Sequence, residues 1–498
     1  MQRTGSPDTM AHRNRLRTLQ HAVRPRVLVR YGGLLGVTIA LLTTIPAAAA
    51  LAGAEHRTAA TLGITALALG AAGFLCHRIR APAEIQPNEA LVLVAGAFIL
   101  TPAVMVWPFT TFGLTPADAW FEAVSAVTTT GLSVVPEPAG QSPVLLLTRS
   151  WMQWYGGLGF AALCVVMLVP RGIAARRLLE PTGARESDIP SMIWHARRLL
   201  VLYALMTVAA WLVLWAAEGR PYTALVHVLS GVSTGGFSSL DGSLAGLDGR
   251  WSAWVLSLIT LLAAVSLPLY LRAARGEWRG VLADAELRAL VLAALAVGVA
   301  LSLILAASGL DAGTAARQGF LLGVSAQTTS GFTPMDPATL PDAAKWTSII
   351  SMALGGSVGS TAGGIKLLRI LVVLRVIQLL IQRMALPPHA VVEPRLGGRR
   401  LAPSEVLHIL AVPTMFLIVV VASVVPFLLY GHAPLDALFE VVSATGTVGL
   451  STGITSSGLP GLLKAVLAFD MLAGRLEFIA ILVVLAPHTW IGRRYATQ

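Results

Sequence analysis

The stretch Ser125-Ala-Val-Thr-Thr-Thr-Gly131-Leu132 decides the fold, because variants of it recur three more times along the chain. In every copy a Ser stands six residues before a Gly, a Thr stands two residues before that Gly, and Leu or Phe follows it. The further copies are Ser230-Gly-Val-Ser-Thr-Gly-Gly236-Phe237, Ser325-Ala-Gln-Thr-Thr-Ser-Gly331-Phe332 and Ser443-Ala-Thr-Gly-Thr-Val-Gly449-Leu450. The four glycines are 105, 95 and 118 residues apart, and a repeat at such intervals predicts four copies of one structural unit.

Composition places these copies in a membrane protein. Of 498 residues, 55% are hydrophobic and 12% are charged, against about 25% charged residues in soluble domains. The apolar residues form stretches of about twenty, the length with which a helix crosses ~30 Å of hydrocarbon. Ten spans are predicted, near residues 31–53, 59–76, 88–109, 145–170, 199–217, 251–271, 287–308, 345–383, 404–430 and 461–487.

Basic residues predict the orientation of these spans. With the N-terminus in the cytoplasm, 28 of the 36 Lys and Arg residues fall in segments on the inner side, as the positive-inside rule requires. We therefore expect a multi-pass protein of the cytoplasmic (inner) membrane with both termini in the cytoplasm. The basic residues of the inner segments account for the net charge of +11. We expect membrane lipid as a partner, and the charge does not indicate a nucleic-acid partner.

Four further apolar segments are too short to span, at about residues 116–129, 221–234, 314–329 and 434–447. Each would measure ~21 to 24 Å at 1.5 Å per residue, so re-entrant helices are predicted, and the loop after each should line a pore. The predicted fold is an all-α polytopic membrane protein with four fused membrane-pore-membrane units in a pseudo-fourfold arrangement, plus two extra N-terminal transmembrane helices. The predicted parts are a basic tail (1–30), a two-helix extension (31–86) and four pore units (87–172, 173–275, 276–400 and 401–498).

The repeated loops have the chemistry of a cation filter. Glycine lets successive carbonyl groups point toward one axis, where a ring of them replaces the hydration shell of a monovalent ion. The C-terminal ends of the short helices add partial negative charge. No Asp or Glu lies in the four loops, which disfavours a carboxylate ring for divalent ions. The predicted filter residues are Thr129, Thr130, Gly131, Thr234, Gly235, Gly236, Thr329, Ser330, Gly331, Thr447, Val448 and Gly449.

A glycine-rich run interrupts the predicted span 345–383. Five glycines lie within the ten residues from Gly355 to Gly364. Each costs a helix about 1 kcal/mol relative to Ala, so a flexible loop is predicted below the filter; a glycine-lined helix contact is the other interpretation. Arg475 is the basic residue nearest the middle of a predicted span, and it should face a cavity or a carboxylate, or form a structural ion pair with another span.

Two other functions fit parts of the sequence. Gly355-Gly-Ser357-Val-Gly359 has the G-x-S-x-G pattern of a hydrolase nucleophile, but that pattern needs a strand-turn-helix setting and a paired His and acid. A proton- or sodium-coupled secondary transporter would have broken helices at a midplane site, and many such folds carry inverted repeats. The four copies here share one orientation, which favours a pore.

The sequence resembles the Trk, Ktr and HKT superfamily of potassium transporters from about Asn88 to Pro487. The resemblance is carried by Phe121-Glu122 through Thr128-Thr129-Thr130-Gly131, Trp154-Tyr-Gly-Gly-Leu-Gly159, Gly359-Ser-Thr-Ala-Gly-Gly-Ile-Lys366, Gly446-Thr-Val-Gly-Leu-Ser-Thr-Gly453 and Gly474-Arg475-Leu476-Glu477. The forms Ser360-Thr-Ala-Gly-Gly-Ile-Lys366 and Gly474-Arg-Leu-Glu477 look like the TrkH branch rather than KtrB. So do the two extra spans before the first unit. The chain departs from the pattern at Leu322 and His227, where the first and fourth units have Glu.

The resemblance implies potassium uptake without chemical turnover, with K+ ions held by the filter residues and no covalently bound cofactor. It also implies a homodimer resting on a cytosolic nucleotide-binding regulatory subunit of the TrkA type, which would respond to ATP and ADP or to NAD and NADH. Basic segments 171–198 and 366–400 would dock that subunit, and units three and four would form the dimer contact. The implied gate residues are Gly355, Gly356, Gly359, Gly363, Gly364 and Arg475.

Overall fold

The computed structural model describes residues 22–82, 85–168, 189–384, 395–396, 399–400 and 403–491. The helices are α1 (Pro25–Ala52), α2 (His56–His77), α3 (Pro87–Thr110), α4 (Pro116–Val127), α5 (Pro143–Leu168), α6 (Ile189–Glu218), α7 (Pro221–Val232), α8 (Ser252–Ala263), α9 (Leu267–Ala274), α10 (Trp278–Leu282), α11 (Ala285–Ala307), α12 (Ala312–Thr328), α13 (Asp342–Leu354), α14 (Leu367–Met384), α15 (Pro403–Leu429), α16 (Pro434–Thr445), α17 (Gly461–Arg475), α18 (Ile479–Leu485) and α19 (Pro487–Trp490). Short 3-10 helices occupy Pro138–Gly140, Ser243–Gly246 and Pro337–Thr339, and strands β1 (Arg395–Leu396) and β2 (Arg399–Arg400) pair antiparallel. The described fold is therefore helical apart from one minimal hairpin.

Six of the described helices are each long and apolar enough to cross a membrane: α1, α2, α3, α6, α11 and α15. Helices α8 and α9 make a seventh if they count as one span, although they are bent by 89° at their junction. Many large apolar side chains on these helices are exposed, among them Leu67, Leu303 and Leu429. Such surfaces suit lipid and not water, and the chain is an integral membrane protein.

Three of the ten predicted spans are interrupted, and the sequence predicts only one of these breaks, at the glycine run in 345–383. The span predicted at 251–271 bends between α8 and α9, where the second helix begins at Leu267 with Pro268 in its first turn. The span predicted at 345–383 divides into α13 and α14 at the glycine run. The span predicted at 461–487 divides between α17 and α18, where Glu477 and Phe478 have φ values of 51° and 61°. Left-handed backbone ends an α-helix, and nothing in the local composition announces it here.

The four short segments form helices α4, α7, α12 and α16, as predicted. Three of them have 12 residues and begin with Pro, whose missing N–H costs nothing at the first helical position. Helix α12 has 17 residues, and the Asp311 carboxylate caps it by accepting hydrogen bonds from the Gly313 and Thr314 amides. Each short helix lies between longer ones and ends inside the protein, where the repeated loop begins.

The first and last pore units pack against each other. The cluster of buried residues that includes Phe109 and Ala123 of the first unit also includes Leu476 and Ala480 of the last. A larger cluster joins the third and fourth units around Phe439 and Leu322. The N-terminal helices α1 and α2 pack closely through glycine, because a Cβ at Gly73 would lie 2.5 Å from the Gly33 carbonyl oxygen. The chain therefore closes on itself around the four short helices.

Candidate ion-conducting site

The four repeated loops adopt one backbone conformation. The Thr two residues before each glycine has a φ of 51° to 56°, and the glycine itself has a φ of 72° to 94°. Left-handed backbone is unfavourable for a β-branched residue and costs of order 1–3 kcal/mol. Four copies of the same strain at matching positions make these loops the candidate functional site. The threonines are Thr129, Thr234, Thr329 and Thr447.

The four loops meet in a closed ring. A Cβ built on Gly131 would lie 2.2 Å from the Gly235 carbonyl oxygen, and one on Gly236 would lie 2.5 Å from that of Ser330. A Cβ on Gly331 would lie 2.1 Å from the Val448 carbonyl oxygen, and one on Gly449 would lie 2.2 Å from the Thr130 carbonyl oxygen. Each unit thus contacts the next, and the fourth contacts the first. At these distances only glycine fits.

Hydrogen bonds join the repeated serine to the loop that follows it. The amide of the residue before the glycine donates to the serine carbonyl, over 2.7 to 3.0 Å in the four units. In the first and fourth units the serine hydroxyl also accepts a hydrogen bond from the glycine amide. Gly131 donates to Ser125, and Gly449 donates to Ser443, both at 3.0 Å. The apolar residue after each glycine is at most 2% exposed and anchors the outgoing chain.

Buried side chains brace each short helix against the chain that leaves its loop. Glu122 accepts hydrogen bonds from the Ser133 hydroxyl at 2.9 Å and the Val134 amide at 3.1 Å. Glu440 makes the equivalent bonds to Ser451 and, at 2.8 Å, to the Thr452 amide. Sequence reasoning missed this role, although the matching offsets of the two glutamates were its signal.

The second and third units are braced differently. His227 stands at the position of the two glutamates, and its Nε2 lies 3.0 Å from the Ser238 hydroxyl, which again is eleven residues along. Leu322 occupies the position in the third unit and is fully buried, but it has no hydrogen-bonding group. The third unit therefore lacks this brace.

Arg149 of α5 links the first unit to the second. Its Nε lies 2.9 Å from the Glu122 carboxylate, and its guanidinium lies 4.0 Å from the centre of the Phe237 ring. Both charged side chains are at most 2% exposed. This ion pair was not predicted, because the sequence shows only an Arg near the start of an apolar span.

The predicted loop at 355–364 lies against the C-terminal ends of the short helices α7, α12 and α16, near the strained threonines. Helix α13 ends at Leu354, and Gly355, Gly359 and Gly364 have φ values of 69°, 76° and 73°. The Gly364 amide donates to the Gly446 carbonyl at 3.0 Å, so this loop contacts the fourth unit's filter segment directly.

Close packing accounts for the other two glycines of this loop. A Cβ at Gly363 would lie 2.1 Å from the Gly446 carbonyl oxygen, and one at Gly356 would lie 2.5 Å from the Ala362 side chain. The Thr361 hydroxyl donates to the Val232 carbonyl, the last residue of α7, at 3.0 Å. The loop is thus fitted to at least two neighbouring units and has no room for side chains at these positions.

Arg475 joins this loop to the first unit. It is buried, and its guanidinium donates to the Thr361 carbonyl at 3.0 Å and to the Gly156 carbonyl at 2.9 Å. Two of its partners are thus backbone carbonyls, which the sequence does not predict. Glu477 forms its ion pair with Arg369 at the start of α14.

Glu286 at the start of α11 holds both sides of the loop. Its Oε1 accepts hydrogen bonds from the Val358 amide at 2.6 Å and from the Leu368 amide at 3.2 Å. The residue is buried, so the carboxylate is committed to these bonds. Sequence reasoning missed this anchor, because Glu286 is also an ordinary first-turn acidic residue of a helix.

Ser357 lacks the environment of a nucleophile. Its hydroxyl is buried and has no hydrogen-bond partner among the residues that the structure describes. A serine nucleophile needs a general base within hydrogen-bond reach. Of the two basic segments expected to dock a regulatory subunit, 171–198 and 366–400, residues 171–188, 385–394 and 397–398 lie outside the described residues.

A helical membrane protein in which four matching loops meet in a closed ring has the architecture expected of ion-transporting proteins. The chain belongs to the TrkH family of cation transport proteins, whose sequence model matches residues 104–490. This is a family of ion transporters, so the protein is not an enzyme and the hydrolase interpretation is wrong.

Relatives and a solved structure agree over nearly the whole chain. The Trk system potassium uptake protein TrkH of Salmonella typhimurium is 28% identical over 93% of this chain and 99% of its own. The Trk system potassium uptake protein TrkI of Halomonas elongata is 29% identical over 82% of this chain and 86% of its own. The crystal structure of the potassium transporter TrkH from Vibrio parahaemolyticus matches with a TM-score of 0.83 and 26% identity, covering 94% of this chain and 100% of that one.

The substitution Arg149→Met tests the importance of the buried pair. Removing one partner leaves the Glu122 carboxylate buried without its cation, which typically costs about 3–5 kcal/mol. We expect a clear loss of folded protein and a lower thermal midpoint in detergent, measured by size-exclusion chromatography after a heat step. Arg250→Met is the control, because Arg250 is exposed. Equal midpoints for both variants would contradict the structural role of the pair.

Proposed function

We propose that this protein takes up potassium ions across the cytoplasmic membrane through one pseudo-fourfold pore, with both termini in the cytoplasm. The observation that carries this proposal is the closed ring in which each of four glycines lies against the next loop's carbonyl group. Membership of a cation transport family supports it. The names of the relatives as potassium uptake proteins support potassium as the ion.

The filter of this pore would consist of the last three residues of each loop, from the strained threonine to the glycine. Carbonyl oxygens at this ring can replace the hydration shell of a monovalent cation. The Thr129 and Thr447 hydroxyls are buried and, within the described part of the chain, have no hydrogen-bond partner. Buried polar groups without protein partners are suited to contact a permeating ion.

A proton- or sodium-coupled secondary transporter remains the alternative. The shared orientation of the four loops and their closure into one ring favour a pore, because many coupled transporters are built from inverted repeats. Flux driven only by a potassium gradient, with no gradient of protons or sodium, separates the two mechanisms in the experiment below.

Selectivity is tested in proteoliposomes with the wild type and Gly131→Ser. We expect potassium and rubidium to pass well above sodium in the wild type. The serine Cβ would lie 2.2 Å from the Gly235 oxygen at a φ of 93°, so the ring must distort. A change of ~1.4 kcal/mol in an activation free energy, which is within the range of such strain, changes a rate about tenfold. We expect the ratio of potassium flux to sodium flux to fall by about that factor.

The matched control for this variant is Gly140→Ser. A Cβ at Gly140 meets nothing within 4 Å, so wild-type flux and selectivity should be retained. Equal sodium and potassium flux through the wild-type protein would refute the potassium assignment.

We further propose that the loop 355–364 and Arg475 close the path below the filter. Arg475 holds the loop through Thr361, and its buried positive charge would hinder cations near it. Removing it should free the loop and lower the electrostatic barrier together.

The substitution Arg475→Ala therefore should raise basal potassium flux severalfold per folded molecule. Protein yield is measured beside tracer uptake, because a purely structural role predicts poor yield and no gain in flux. Arg383→Ala, which changes an exposed basic residue at the end of α14, serves as the control and should leave flux unchanged.

Control of this gate would come from assembly. We propose a homodimer, in contact through the third and fourth units, on a ring of cytosolic TrkA-type subunits that bind ATP and ADP or NAD and NADH. A ligand shifts a gate only through its different affinity for the closed and open states, and the described residues include no nucleotide-binding domain of their own.

This assembly is tested with purified protein by light scattering and by flux in the presence of the regulatory subunit and each nucleotide. We expect a dimer whose flux changes with nucleotide. Replacing Arg395 and Arg399 with Gln should weaken binding of the subunit, whereas the same change at Arg78 and Arg80, in another inner basic segment, should not. A strictly monomeric protein whose flux ignores the subunit would overturn the assembly and leave the pore intact.

A further inference from the structure

The third filter loop differs from the other three in one buried side chain. Gln327 stands two residues before the strained Thr329, at the position that Val127, Val232 and Thr445 occupy in the other units. It is 0% exposed. An amide in this position is unexpected among apolar neighbours, because a buried amide must find partners for both its donor and its acceptor.

The partners of Gln327 both lie at the junction between α13 and the loop 355–364. Its Nε2 donates to the Gly355 carbonyl at 2.7 Å, and its Oε1 accepts a hydrogen bond from the Ser351 hydroxyl at 3.0 Å. Gly355 is the first residue after α13 and has left-handed backbone. The filter loop of the third unit is therefore bonded to the point where the predicted gate begins.

A second bond ties the same filter loop to the other end of the gate. The Thr329 hydroxyl accepts a hydrogen bond from the Gly363 amide at 2.6 Å. The equivalent hydroxyls behave differently: Thr234 donates to the neighbouring Ser233 carbonyl at 2.7 Å, and those of Thr129 and Thr447 have no partner among the described residues. Only the third of these four threonines is thus bonded to the loop in the described contacts.

These two bonds have a direct consequence for movement. If the loop leaves its place, Gln327 and Thr329 lose partners in a site from which water is largely excluded, and leaving them unsatisfied is unfavourable. The strained filter segment between them must then rearrange. The loop therefore cannot move without changing the filter.

The same geometry determines whether a bound cation favours or disfavours release of the loop. The Gly363 N–H directs the positive end of its dipole at the Thr329 oxygen, so it repels a cation at the inner end of the filter and competes with it for that oxygen. By linkage, a cation that binds there must favour the displaced loop to the same extent that the loop disfavours the cation.

We propose that Gln327 and Thr329 couple the filter to the gate, so that a permeant cation at the inner end of the filter promotes release of the loop 355–364. Gln327 acts as a positioning residue in this coupling. The inference deepens the proposed function and rests on it. It assigns to the transported cation a role in opening its own path.

The test measures exposure of the loop as a function of the cation. Cys76 and Cys164 are replaced by Ser, and Ser357→Cys places a thiol in the loop, where the native hydroxyl is buried and unbonded. The full-length protein in proteoliposomes is treated with a membrane-impermeant thiol reagent from the cytoplasmic side. The modification rate is measured in potassium, rubidium, sodium and N-methylglucamine, with potassium flux measured on the same preparation.

We expect modification to be about fivefold or more faster in potassium or rubidium than in N-methylglucamine. In the Gln327→Val background, which installs the residue of the first and second units, the rate should be high in every solution. The Thr329→Val background should likewise lose the cation dependence, and Thr329→Ser, which keeps the hydroxyl, should retain it.

Gln141→Val is the control, because the Gln141 amide donates to the Pro136 carbonyl in an exposed loop and not to a filter or gate residue. Its cation dependence should persist. A protein that passes potassium but whose thiol reacts equally in all solutions overturns the coupling, and so does a dependence that survives both valine substitutions. Absence of potassium flux through the wild-type protein would instead overturn the proposed function.

Discussion

The rest of the structure depends on one steric constraint, the contact of each loop glycine with a carbonyl group of the next loop. The space for a Cβ is taken by an oxygen 2.1 to 2.5 Å away at all four positions. The ring therefore closes only if four units place their loops at one depth. The short helices, whose length stops them inside the protein, provide that depth. The strained threonines are kept in place because the surrounding contacts over-determine them.

The ring constrains backbone and leaves the supporting side chains free to differ. A carboxylate braces the first and fourth units and an imidazole the second, whereas the third has Leu322. The Glu122 brace needs Arg149 as a counter-ion, and Glu440 has hydroxyl and amide donors instead. Equivalent backbones with different supports are expected when four fused units diverge around one axis.

The sequence predicts what is local or repeated, and much of the fold is. The positions of α4, α7, α12 and α16 follow from apolar length, and the break after Leu354 follows from glycine content. The break at Glu477, where the backbone is left-handed, has no such signal in the surrounding composition. The pairing of Arg149 with Glu122 and of Gln327 with Gly355 depends on which helices become neighbours. No periodicity or spacing contains that information.

The third unit shows how these differences fit together. It is the unit whose second long helix is interrupted by the glycine loop, and it is also the unit without an outer brace at Leu322. At position 333, where the other three units have the bracing Ser, the Thr333 hydroxyl bonds within its own turn and its amide donates to the Ser243 hydroxyl of the neighbouring unit. Its filter loop is held from the inner side instead, by Gln327 and Thr329. If the loop 355–364 moves as proposed, a segment held mainly by that loop would respond to it more than a segment braced by buried carboxylates, and the asymmetry among the four units would make the third unit the one that responds.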